Sequence, residues 1–154
     1  MSLALASAST NSTPPRGRSE SRTRVGVDVQ VVDEITVSLA AFGERYVSRV
    51  FNAEEVAHVR RHPSTAASYL AGRFAAREAV IKVLGVDSAL AVWRDIDIVA
   101  QPTTTPRVVL IDSALELANS LGITEILLSL SHARHVATAV AVADVISTSA
   151  GGSP

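Results

Sequence analysis

The chain contains no cysteine, which excludes a disulfide framework, thiolate metal sites, iron–sulfur clusters and thiol nucleophiles together, and nothing in it asks for an oxidising compartment. Aromatic residues are only 4% of its 154 residues, with one Trp and one Met, so its core has to be assembled from many small side chains in well-packed regular elements. Net charge is nearly absent too. The 14 basic and 15 acidic residues give −1, which supplies no pull toward nucleic acid or anionic lipid. No uncharged apolar run approaches the ~20 residues that a membrane helix needs. The Leu-Ala-Leu-Ala stretch at Leu3–Ala6 lacks both the basic start and the long apolar segment of a secretory signal. The cytosol is the expected setting, with neither nucleic acid nor membrane as partner.

What is present is a soluble, globular composition, 47% hydrophobic and 19% charged, at a length that suits one domain with one sizeable core. Residues 1–23 are rich in Ser, Thr, Ala, Pro and Arg and show no periodicity, and Ser147–Pro154 is similar, so both read as disordered tails around a folded unit at 24–146. Three arginines, Arg16, Arg18 and Arg22, fall in the first tail, which leaves the folded unit mildly acidic. Val25, Val27 and Val29 alternate with Gly26 and Asp28, the period-2 pattern of a half-buried strand, with Asp28 pointing away from the valine face. Asn52 stands three positions before Glu55 as a helix cap, and Pro63 stops that helix, predicted at 52–62. Ser64 is the next candidate cap, for a helix from Ala66 to Leu84 that Gly85 closes. Leu70, Phe74, Ile81 and Leu84 form one stripe of this helix, with Glu78 and Lys82 along its edge beside Ala71 and Ala75, and Arg77 inside it, its head reaching for a partner or water. Strands are expected around Ile96–Ile98 and Val108–Ile111, a helix over Ser113–Leu121, and a hairpin from Ile126–Ser131 and Val136–Ala143. The order β-α-α-β-β-α-β-β indicates an α+β domain, with helices packed on a largely antiparallel sheet.

Several residues could carry chemistry, and each has an ordinary explanation. Asp28 is an ionisable residue in an apolar strand, two positions after a glycine that lets another group come close, but it could equally sit on the solvated face of an edge strand. Glu78 and Lys82, four apart, match the common helix-surface ion pair. His132 fits a turn histidine. Ser129 and Ser131 lack the flanking glycines of a nucleophile elbow. Asp95 and Asp97 fit the wet side of a sheet, and Arg60-Arg61-His62 suits a helix end.

Taken in chain order, the signals are more specific. Val25-Gly26-Val27-Asp28, the block Tyr69-Leu70-Ala71-Gly72-Arg73-Phe74-Ala75-Ala76-Arg77-Glu78-Ala79-Val80-Ile81-Lys82, then Trp93-Arg94-Asp95-Ile96-Asp97-Ile98 and Ser129-Leu130-Ser131-His132, resemble the 4′-phosphopantetheinyl transferase superfamily in its short, holo-acyl-carrier-protein synthase branch. The resemblance covers nearly all of 24–146, and 69–82 is its most specific part. It implies transfer of the phosphopantetheine arm of coenzyme A to a serine of a carrier protein of fatty acid, polyketide or peptide synthesis, with release of adenosine 3′,5′-bisphosphate. It also implies Mg²⁺ held by Asp28 and Glu78. Two carboxylates that leave room for phosphate oxygens and water are a usual magnesium arrangement.

By the same resemblance Lys82 reaches the charge on the leaving phosphate, Arg73, Arg77, Pro106, Ser131 and His132 belong to the coenzyme A site, and the chain forms a homotrimer whose sites are completed by a neighbour. The serine proton goes either to Glu78 or to a water at the site. Four positions depart from the family's pattern: Arg77 replaces a Lys, Glu34 a basic residue at the carrier-docking helix, Thr104-Thr105-Pro106 a Gly-x-Pro, and Val136 an aromatic residue. None removes a metal carboxylate or Lys82. Glu34 and the missing glycine motivate the alternative, a noncatalytic coenzyme A or carrier-protein binding module of the same fold.

Overall fold

A computed structural model describes residues 21–86, 92–100 and 106–146; residues 1–20 of the tail expected at 1–23, the tail expected at 147–154, and Thr104 and Thr105 lie outside these, while residues 21–23 belong to a strand. Along the chain run β1 (Ser21–Val31), α1 (Val32–Phe42), α2 (Glu44–Val50), α3 (Ala53–Arg61), a 3-10 turn (Pro63–Thr65) and α4 (Ala66–Leu84). A second 3-10 turn (Trp93–Asp95) leads to β2 (Ile96–Val99), β3 (Arg107–Leu110), α5 (Asp112–Ser120), β4 (Leu127–His132) and β5 (Val136–Ile146). The class is α+β and every strand pairing is antiparallel, but the strands form two sheets, β1-β5-β4 and β2-β3. β1 starts at Ser21, before the expected Arg24, because it pairs with β5 over its full length, from Ser21 opposite Ile146 to Val31 opposite Val136.

Helix α4 has the predicted limits, and Gly85 closes it in the left-handed conformation at φ 72°, giving its N–H to the Ile81 carbonyl. Its environment differs from the predicted single stripe. Leu70, Ala71, Ala75, Ala76, Ala79, Val80 and Val83 are all fully buried, so the helix is enclosed over most of its circumference, with Lys82 left exposed. The three-stranded sheet meets it with Ala137, Ala139, Ala141 and Ala143, also buried. Alanine against alanine lets helix and sheet approach closely, which suits a chain poor in aromatic residues.

Local signals hold where they are self-contained. Asn52 and Glu55 form a reciprocal capping box on α3. Ser64 is no cap: it lies in the 3-10 turn, and Thr65 takes the cap position of α4 without a side-chain bond. Helices α1 and α2 have no counterpart in the sequence reading. Neither has a side-chain cap, and they are held by Val32, Ile35, Val47 and Phe51 packing on Leu70, Ala71 and Ala137. Asp95 and Asp97, expected to be merely wet, are bonded: Asp95 accepts from the Ser113 N–H at 3.0 Å and Asp97 from Asn52 Nδ2 at 2.9 Å.

Candidate active site

β1 lies against α4 with the face opposite to its valines. Val25, Val27 and Val29 are about half exposed, while Gly26 is buried and Asp28 is partly so. Gly26 makes this crossing possible, since a Cβ there would overlap the Ala79 carbonyl oxygen of α4. With the backbones in contact, Asp28, two residues on, is directed at the same helix. Lys82 Nζ donates to the Val27 carbonyl at 2.7 Å and to Asp28 Oδ1 at 2.9 Å. Glu78 lies one turn before Lys82, half-buried. Its carboxyl is held above the ordinary glutamate value, by burial first and by the negative charge of Asp28 second, with Lys82 acting the other way. Glu78 and Lys82 are thus not only a helix-surface pair, because Asp28 from a distant strand joins them.

A second group gathers elsewhere. Arg73, Pro106, Ser131 and His132 line one cavity of about 420 Å³ together with His58, Thr65, Ser68 and Tyr69. The Arg73 guanidinium lies 4.9 Å from the centre of the Tyr69 ring, and that ring stacks on His58 at 3.9 Å between centres. Desolvation first, then the charges of His62, Arg61 and Arg73, keep His58 below the usual histidine value. Glu78 and Lys82 follow Arg73 by five and nine residues, which turns them ~140° and ~180° away around the helix. Apart from Arg77, the expected site residues therefore form two groups, and their members on α4 point to different sides of that helix.

Arg77, expected at coenzyme A, is in neither group. It is 2% exposed, lies between the rings of Phe51 and Trp93, and donates from Nε to the Ile96 carbonyl at 2.9 Å and from NH2 to Glu55 at 2.8 Å. A guanidinium with these partners is a core cation, not one free to meet a phosphate. Glu55, also 2% exposed, is marked in the sequence only as the Glu of a capping box. Tyr69 and His58 gave no separate signal as cavity walls either. Their partners lie on other elements, so residue spacing within one helix does not show them.

The chemistry of the first group fits a magnesium ion. Two carboxylates within electrostatic reach of each other, with a single ammonium between them, retain negative charge and offer hard oxygen donors. Among the described residues no cluster of three or more His, Cys, Asp or Glu is gathered to hold a metal, so the chain offers a partial shell that a phosphate-bearing ligand and water would complete.

The family model described as the 4′-phosphopantetheinyl transferase superfamily matches residues 24–140. A holo-[acyl-carrier-protein] synthase of Moorella thermoacetica is 40% identical over 119 residues, covering 77% of this chain and 91% of that protein. The crystal structure of a holo-ACP-synthase from Plasmodium yoelii superposes with a TM-score of 0.69 at 27% identity, covering 83% of this chain and 99% of that one. The Helicobacter pylori holo-[acyl-carrier-protein] synthase, solved in complex with coenzyme A, gives a TM-score of 0.64 at 26% identity over 80% of this chain and 99% of that one.

Proposed function

The chain belongs to the 4′-phosphopantetheinyl transferase superfamily, and on that premise we propose that it moves the 4′-phosphopantetheine arm of coenzyme A onto a serine of an apo carrier protein. The observation that carries this reading is the meeting of Asp28, Glu78 and Lys82 where β1 crosses α4. The serine Oγ forms a bond to the β-phosphorus of coenzyme A, the bond from that phosphorus to the bridging oxygen breaks, and adenosine 3′,5′-bisphosphate departs. The serine proton passes to Glu78 or to water. Asp28 and Glu78 would hold Mg²⁺, which when bound neutralises the pyrophosphate. Lys82 places a positive charge beside the leaving phosphate. Arg73, Ser131 and His132 line the cavity for the nucleotide end, with Pro106 at its wall.

The two groups, whose members on α4 point to different sides of that helix, favour an assembly in which each site is completed by a neighbouring chain, the homotrimer that the resemblance implies. The outer face of the three-stranded sheet supports it. Val25, Val27, Val29 and Val31 stand exposed, in register with Val142, Val140, Thr138 and Val136 of β5, and Leu127 of β4 continues the patch at 61% exposed. Monomers rarely leave so continuous an apolar face in water. Glu34, on α1 where no basic residue occupies the last turn, favours a carrier whose docking depends little on positive charge. The cytosol is the implied compartment, since a cysteine-free chain needs no oxidising one.

Incubation with a panel of apo carriers, coenzyme A and Mg²⁺ at several salt concentrations, read by intact-protein mass, tests the reading. The expected result is gain of the arm on at least one carrier, stopped by EDTA and by Glu78→Gln, with little loss of docking at high salt. No mass shift on any carrier would overturn it, and coenzyme A binding without product would identify the noncatalytic module instead.

A further inference from the structure

Two buried guanidinium groups share a single buried carboxylate in this molecule. Arg77 donates to Glu55 Oε2 and to the Ile96 carbonyl, whereas Arg73, 7% exposed, reaches Glu55 only through its Nε, 3.9 Å from Oε1. That distance is an ion pair without a hydrogen bond. The NH1 groups of Arg73 and Arg77 and Oε1 of Glu55 are buried without a hydrogen-bond partner among the described residues. Glu55 is the one buried carboxylate against these two cations among the described residues, with Asp97 lining the adjoining space, and the unpartnered NH1 of Arg73 is left to be met by an outside acceptor. Of the two cations, Arg73 is the one that lines the cavity with Ser131 and His132.

The geometry points to Glu55 as a positioning residue for coenzyme A. Its Oε2 closes off Arg77 and ties the α3 cap at the Asn52 N–H, 3.1 Å away, while Oε1 steers Arg73 against the Tyr69 ring and leaves its charge available to a phosphate of the nucleotide. Glu55 itself touches no reacting atom. This inference rests on the reading of the cavity as the nucleotide site. Removing the carboxylate would ease its repulsion of the incoming phosphate, but it would also leave two buried cations facing each other, and the Arg73 side chain, with its route to the cavity, would turn away from its place.

The test is steady-state kinetics and binding of adenosine 3′,5′-bisphosphate on the full chain, for wild type, Glu55→Gln, Arg73→Ala and the double variant. Glu55→Gln is expected to raise KM for coenzyme A and the Kd for the bisphosphate about tenfold, the effect of losing one charge-assisted contact, with kcat within a factor of about two. In the Arg73→Ala background the same change should have no further effect on binding, since Glu55 acts through Arg73. A purely structural Glu55 would lower the melting temperature while leaving KM alone, or would weaken binding equally in both backgrounds; either result, or tighter binding, overturns the inference. If Arg73→Ala itself leaves binding unchanged, it is the nucleotide-site reading that fails. Glu55→Asp, which keeps the charge but withdraws it by one methylene, provides a milder variant should Glu55→Gln not fold, and is expected to show a smaller KM increase of the same kind.

Discussion

Glu78 is the residue at which the chemistry of the site can be read most directly. Its carboxyl is easier to protonate in the folded chain than in the unfolded one, where the ordinary value is 4.5, because ionising it places a second negative charge in a partly desolvated place beside Asp28. A group whose affinity for protons rises on folding contributes stability at low pH that is lost as pH climbs through its folded-state value. Without divalent cation, therefore, wild type should lose stability relative to Glu78→Gln as pH rises from about 4.5 upward. Thermal melts of the two proteins across that range, in EDTA, measure the difference directly; a constant gap would show that folding does not raise the affinity of Glu78 for protons. Magnesium should close the gap by occupying the charged form.

At the scale of elements, the contact that builds the site is the crossing of β1 over α4. Gly26 sits where the strand backbone meets the Ala79 carbonyl, and the alanine row of β5 brings the same helix down on the sheet. Gly26→Ala has to push strand and helix apart, at an overpacking cost of about 1–3 kcal/mol or somewhat more. The expected outcome is a lower midpoint in chemical denaturation together with weakened Mg²⁺-dependent binding of coenzyme A, because moving β1 moves Asp28 away from Glu78 and Lys82. An alanine variant that binds with unaltered magnesium dependence would mean that the crossing does not set the site. Boundaries at this scale were legible wherever a signal was contained in a few residues, as with Asn52 and Glu55 or Gly85. Helices α1 and α2 were not legible, since they have no side-chain cap and are held by apolar contacts to α4 and β5.

For the whole molecule, the exposed valine face and the division of the site around α4 lead to the same expectation. Val29→Asp, at a position 57% exposed, should hardly affect the folding of one chain but should reduce the particle to single chains and abolish transfer. Light scattering on a sizing column, paired with the mass assay, checks both; wild-type single chains with full activity would show that no neighbour is needed. Fold class and the long helix were legible in the chain alone, because periodicity, caps and residue identity are properties of adjacent positions. The sequence also carried the resemblance through motifs of the same local kind. Packing settles which face of β1 is turned inward, that Arg77 belongs to the core with Glu55, and that the candidate site residues other than Arg77 fall into two groups. Each of those depends on which distant element packs opposite a residue. Alternation of valines marks two faces of a strand without saying which is covered, and an arginine's role depends on a carboxylate two elements away.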